Sequence, residues 1–173
     1  MATTSIPRLA GPRTAYEVLT EDIVGLIREE PRRMRMTVWQ MRSVRDLASE
    51  LESVYETAVD NDDDVEVPDD LFERAEELMP ACGMVGCIGG WTEAVCGVDP
   101  SFDTHMGGKA AGLLGLDQEQ TDDLMYPDDL MDRLDEGTPE YAEEVVRHIM
   151  AFAARHEAQL RAKVVVPGDG GAP

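Results

Sequence analysis

Residues 82–97 read Cys82-Gly83-Met84-Val85-Gly86-Cys87-Ile88-Gly89-Gly90-Trp91-Thr92-Glu93-Ala94-Val95-Cys96-Gly97 and hold five glycines and all three cysteines. A glycine inside a helix costs up to about 1 kcal/mol relative to alanine. A segment this rich in glycine therefore needs an offset, and the usual one is close approach of another backbone or of a ligand. Read as a helix, it sets Gly86 and Gly90 four apart on one face. The segment is predicted to be the centre of the fold, with Cys87 and Trp91 buried.

Helical signals lie on both sides. Thr14 and Glu17 form a Thr-x-x-Glu capping box ahead of Ala15, Val18, Leu19, Ile23, Leu26 and Ile27, and Pro31 stops that helix. Thr37 with Gln40 suggests a second start. The stripe Val44, Leu47, Ala48, Leu51, Val54, Tyr55 and Ala58 is the clearest amphipathic pattern in the chain. Downstream, short helices are predicted over 71–79 and 110–116. Asp117 with Gln120 caps the next helix, which runs to about Met125, and a helical turn follows over 128–134. Thr138-Pro139 is a strong helix start, ahead of Ala142, Val145, Val146, Ile149, Met150, Ala153 and Leu160. No strand is predicted. Val164–Val166 is too short, and Val65 and Val67 lie in an acid run. The expected fold is all-α, a single domain of six or seven helices around the Gly-rich one. The helices at 38–59 and 139–160 flank it. A loose arm over 1–13, an exposed acidic loop over 60–70 and a loose tail over 164–173 complete the organisation.

The 173-residue chain has a normal apolar share of 43% and only 5% aromatic residues, so Leu, Val, Ala and its ten Met fill the core. Its net charge is −21. The charge is uneven: residues 46–145 hold 29 acidic and three basic side chains, while both ends are mildly basic. A field of that sign repels nucleic acid and anionic membrane. It attracts a basic protein partner, for which Asp60, Asp62, Asp63, Asp64, Glu66, Asp69 and Asp70 are the candidate contacts. The odd cysteine count, the lack of a signal-like apolar stretch and the lack of a membrane-length apolar run lead to a cytoplasmic expectation.

Met36-x-x-Trp39 and Cys82-Gly83-x-x-x-Cys87-x-x-Gly90-Trp91, followed by Ala111-x-x-Leu114-Gly115-Leu116-x-x-x-Gln120-x-x-x-Leu124, resemble signatures of a group of small uncharacterised helical proteins of actinobacteria and their phages. Met84 stands where that group has Thr, and Gly89 where it has Ala. The resemblance spans residues 31 to about 155 and implies a fold but no chemistry.

Four chemistries can be weighed on residue types. Cys82 at a helix start is the weak candidate for a nucleophile, since the helix dipole lowers a thiol pKa, with His105 as its nearest histidine in sequence. The sheet that carries the histidine in papain-like enzymes is not predicted. The spacing C-x4-C-x8-C, with His105 as a fourth ligand, fits no zinc ribbon or finger. The window from Asp62 to Glu73 carries carboxylates at calcium-loop positions but has Val67 where the loop needs Gly. The Ala111–Asp117 spacing echoes a helix-turn-helix, but it would turn Asp117, Glu119, Asp122 and Asp123 to phosphate, the wrong sign. No metal or cofactor is expected.

The leading expectation is a non-enzymatic interaction protein whose acidic face docks a basic protein, in its sharper form as a DNA mimic. One alternative is a small-molecule or nucleotide-signal binder near Gly86, Gly90 and Trp91, with positive charge from the arginines Arg32, Arg33, Arg35, Arg42 and Arg45. The other is a Cys82-dependent enzyme.

Overall fold

Thr14 opens the first helix as its capping box requires. Its Oγ1 accepts from the Glu17 N–H at 3.2 Å, and the Glu17 carboxylate accepts from the Thr14 N–H at 2.8 Å. The computed structural model describes residues 8–36, 40–41, 43–61, 66–79, 84–98, 108–130, 133 and 135–168. One continuous rod is formed by α1 (Ala15–Glu17), a π-helical segment (Val18–Ile23) and α2 (Val24–Glu29), closed by a 3-10 turn at Pro31–Arg33. The other helices are α3 (Val44–Asn61), α4 (Leu71–Leu78), α5 (Ile88–Val95), α6 (Gly108–Leu114), α7 (Gln118–Met125), α8 (Pro139–Arg155) and α9 (Glu157–Ala162). With α1 to α2 counted as one rod, the described residues form eight helical rods, an all-α domain.

Every residue of α5 is buried. The helix packs on the π-helical segment, α6 and α7. Trp91 and Cys87 sit in the main core, with Leu19, Ile27, Met34, Val145, Ile149 and Phe152. The glycine-rich segment is thus central, but it is not one helix. Cys87 is the N-cap, its sulfur facing the Gly90 N–H at 3.5 Å. Gly86 lies in a two-residue strand β3 (Val85–Gly86) paired antiparallel with β2 (Gln40–Met41). Gly86 and Gly90 therefore do not share a helical face.

Three more expectations are corrected. The second long helix begins at Val44, not 38, because Ser43 caps it: its Oγ accepts from the Asp46 N–H at 3.1 Å and donates to the Asp46 carboxylate at 2.6 Å. The long helices do not flank α5. The main partner of α3 is α4, and α8 lies on α2, the π-helical segment and α7. Nor are the chain ends loose where they are described. The strand β1 (Arg13–Thr14) pairs with β4 (Val164–Val165), whose Val165 is buried. Leu9 N–H donates to Val95 O, and Gly168 N–H to Cys96 O, both at 2.8 Å. Two-residue strands carry no readable alternation, so periodicity could not find them.

A second, smaller core of Leu47, Leu51 and Ala75 holds α3 against α4. The stripe read on α3 fades toward its C-terminal end, where Val54, Tyr55 and Ala58 are only half-buried. The α3–α4 hairpin thus has its own core and meets the body at a seam.

Candidate functional site

The seam is organised by residues 31–36. Pro31 turns the chain out of α2, and Met34 and Met36 are buried. So are two arginines of this segment. Arg33 sends Nη1 to Leu26 O at 3.3 Å and to the Glu29 carboxylate at 2.9 Å. Its own carbonyl accepts the Trp91 Nε1–H at 2.9 Å. Arg35 N–H donates to Gly86 O at 3.2 Å. Its guanidinium, only 5% exposed, faces the Glu136 carboxylate, only 1% exposed, with Nη1 to Oε2 at 3.6 Å. Nη2 donates to the Glu136 carbonyl at 3.2 Å.

Glu136 is a hub. Its Oε1 accepts from the Met36 N–H at 2.5 Å and from the Tyr141 hydroxyl at 2.9 Å. Gly137 follows at φ +81°, a conformation that glycine adopts without steric cost; a Cβ there would stand 3.4 Å from Arg35 Nη2. Burial, with the Glu136 charge beside it, pushes the Tyr141 phenol far up, so it stays a donor. Burial pushes Arg35 down from the usual arginine value and Glu136 pushes it back up; the guanidinium remains charged.

Arg35 and Glu136 form one wall of a cleft of about 270 Å³ whose other wall is the hairpin: Leu51, Tyr55, Arg74, Glu77 and Leu78. Arg74 Nη1 donates to the Tyr55 hydroxyl at 2.8 Å, and Arg74 lies 3.3 Å from the Asp70 carboxylate.

Near this seam, Glu50 is half-buried, and burial raises its pKa, with the Glu136 charge adding to it. A carboxyl raised in the folded state favours folding when protonated and opposes it once ionised. Glu50→Gln is therefore expected to raise Tm at neutral pH. The gain over the parent should shrink as pH falls through the carboxylate range, where the parent's own carboxyl becomes neutral. Thermal melts of the two proteins across that range check the sign.

The outer surface of the hairpin is acidic. Glu52, Glu56, Asp60, Glu66, Asp69, Glu73 and Glu76 are exposed. Among the described residues, none of these seven lies in an ion pair, whereas the body's carboxylates are widely paired: Arg13 with Glu21 and Asp22, Arg28 with Glu143, Arg133 with Asp135 and Glu144, Arg155 with Asp123, and Arg161 with Glu157. Phe72, half exposed, and Val67 stand at the base of α4 and line a shallow groove with Arg45, Ala48, Glu52 and Leu71.

The residues singled out from the sequence fall as follows. Asp60, Glu66, Asp69 and Asp70 are exposed on the hairpin; Asp62, Asp63 and Asp64 lie outside the described residues. So do Cys82, His105, Arg42 and Trp39. Gly86, Gly90 and Trp91 are buried, and the Trp91 ring is enclosed by the core. The arginine cluster is divided: Arg32 is held by Glu30 and by Glu77 O, Arg33 and Arg35 are buried, and Arg45 is exposed on α3. Burial pushes the Cys87 and Cys96 thiols up to about 11, so both act as small apolar side chains. Among the described residues, no group of three or more His, Cys, Asp or Glu side chains is placed to hold a metal ion, and no helix is long and apolar enough to cross a membrane.

The site residues not read from the sequence are Glu136 and the hairpin carboxylates Glu52, Glu56 and Glu76; Arg35 was read only as one of a cluster of arginines, and its burial between Met34 and Met36 sets it apart. No family model, curated protein or solved structure matches the chain.

Proposed function

We propose that the chain is a non-enzymatic accessory protein that docks a basic segment of a protein partner on its α3–α4 hairpin. The supporting observation is the imbalance in ion pairing: among the described residues, seven exposed carboxylates on the hairpin have no cation, while those of the body are widely neutralised in place. Unpaired surface charge contributes little to a fold, but it steers an oppositely charged partner and sets the association rate. Half-exposed Phe72 beside this charge offers an apolar anchor of the kind that carries interface energy. The partner segment is therefore rich in Lys or Arg and has one large apolar side chain.

Charge spacing favours a basic peptide over the DNA-mimic form. Glu52, Glu56 and Asp60 form an i, i+4 row that rises about 6 Å per carboxylate. One DNA strand carries a phosphate every ~3.4 Å of axis, so the row has roughly half that density. A phage-associated or actinobacterial setting is the one that the signature resemblance suggests, and cysteine usage and the lack of a signal-like apolar stretch favour the cytoplasm. The alternative of a Cys82 enzyme gains no geometry, because Cys82 and His105 both lie outside the described residues.

The test is a variant carrying Glu52→Gln, Glu56→Gln, Glu73→Gln and Glu76→Gln, titrated against a Lys/Arg-rich peptide with one aromatic residue. Exposed charge pairs contribute about 0.2–1 kcal/mol each, so affinity at low salt should fall about tenfold or more, with a flatter salt dependence and little change in Tm. A control carrying Glu119→Gln, Asp128→Asn and Asp129→Asn, away from the hairpin, should bind like the parent. Equal binding by parent and hairpin variant, or loss confined to the control, sinks the assignment.

A further inference from the structure

We propose that the cleft between the α3–α4 hairpin and the body binds a small organic monocarboxylate, held by Arg35 on one wall and Arg74 on the other. Arg35 is nine-tenths buried or more, yet among the described residues it makes only one side-chain hydrogen bond of ordinary length, Nη2 to the Glu136 carbonyl. Its Nε is buried with no partner, and its Nη1 stands 3.6 Å from a carboxylate oxygen, beyond hydrogen-bond length. Glu136 cannot easily turn further toward it, because Oε1 is committed to Met36 N–H and Tyr141. A buried guanidinium with unused donors is costly; Arg35 lines the cleft, although its Nε itself is closed to solvent. Arg74 faces the same cleft from the hairpin, and Tyr55, which accepts from Arg74, keeps its own hydroxyl hydrogen to donate.

These groups fix the ligand's chemistry. Arginine offers donors only, in a planar fork that suits a carboxylate or a phosphate. Glu77 and Glu136 in the lining, and the net charge of −21, oppose a dianion. That leaves a monoanion. Leu51, Leu78 and the Tyr55 ring, beside Thr138, give the lining an apolar side, so the body of the ligand is hydrocarbon. A volume of about 270 Å³, at about 30 Å³ per water-sized group, admits a molecule of benzoate's size. Bound there, it bridges hairpin and body, so its occupancy stiffens the seam that joins the acidic hairpin to the body.

The full chain, titrated in thermal melts and calorimetry with benzoate, butyrate, benzamide and inorganic phosphate, tests this. Benzoate or butyrate should raise Tm saturably, while neutral benzamide and phosphate should not. Arg74→Gln, on the exposed side of the cleft, should weaken carboxylate binding about tenfold or more relative to its own ligand-free baseline. It is used in place of an Arg35 variant, which removes a buried ion pair and endangers folding. Three results overturn the proposal. The absence of a saturable shift with either carboxylate means that the cleft holds only water. A shift with phosphate or benzamide equal to that with the carboxylates removes the assigned chemistry. Unchanged carboxylate affinity in Arg74→Gln places any binding elsewhere.

Discussion

Glu136→Ala should destabilise the fold by about 3–5 kcal/mol, the cost of breaking a buried ion pair from one side. For a domain of this size that corresponds to a fall in Tm on the order of 10 °C. The loss has separable parts. Arg35 keeps its charge but loses the carboxylate beside it, and Met36 N–H and the Tyr141 hydroxyl lose their shared acceptor. Tyr141 retains one partner, since its hydroxyl also lies 2.7 Å from the Leu130 carbonyl. Glu136→Gln keeps an oxygen for Met36 and Tyr141 while removing the charge, so it should cost less than the alanine variant. Replacing the pair by Arg35→Met with Glu136→Gln should recover part of the loss, because no buried charge then remains unpaired. Denaturant unfolding of the parent, Arg35→Met, Glu136→Gln and the double variant gives the coupling energy directly. A Glu136→Ala protein within about 1 kcal/mol of the parent would mean that Arg35 is solvated at the seam and that the pair does not hold residues 31–36 in place.

Helices were legible wherever a local rule sufficed. Thr14 with Glu17, Asp117 with Gln120 and Thr138-Pro139 each carry their start signal within four residues, and each helix begins where that signal lies. The burial of Trp91 and Cys87 followed from the unusual glycine content around them. Helix partners were not legible. The α3 stripe is real, but periodicity says only that one face is covered, and α4 covers it in place of α5. The break at His156, between α8 and α9, has no Pro or Gly to announce it.

The candidate site was legible in charge and not in place. The acidic block predicted a basic partner and pointed to residues 60–70, which join the two arms of the hairpin. It could not show that Glu52 and Glu56 have no ion-pair partner among the described residues, because ion pairing depends on tertiary neighbours. Glu136 was one of 36 acidic residues, with no local mark of its hundred-residue reach to Met36. The arginines at 32, 33 and 35 were noted as a cluster, but Arg33 closes the 3-10 turn while Arg35 lies beyond it, past the extended Met34. Arg33 therefore reaches back to α2, while Arg35 reaches the cleft.

Trp91 is the second residue on which the seam depends. Trp91→Ala should cost about 3–5 kcal/mol, as for other fully buried large aromatics, because the ring is 0% exposed among core residues on every side. Its effect should extend beyond the cavity. The indole N–H is the donor that holds the Arg33 carbonyl, and two residues on, Arg35 N–H holds Gly86 O. These two bonds dock residues 33–35 on the glycine-rich segment from both sides. Trp91→Phe retains most of the apolar volume and removes the donor, leaving the Arg33 carbonyl buried without it, at about 1–3 kcal/mol. Hydrogen exchange discriminates the two roles. If Trp91 only fills space, Phe restores slow exchange at Arg35 N–H. If the indole bond positions the segment, Arg35 N–H should exchange faster in the Phe variant than global unfolding requires, while the amides of α8 stay protected. Uniform acceleration across α8 and residues 33–35 would remove the positioning role and leave Trp91 as core packing alone.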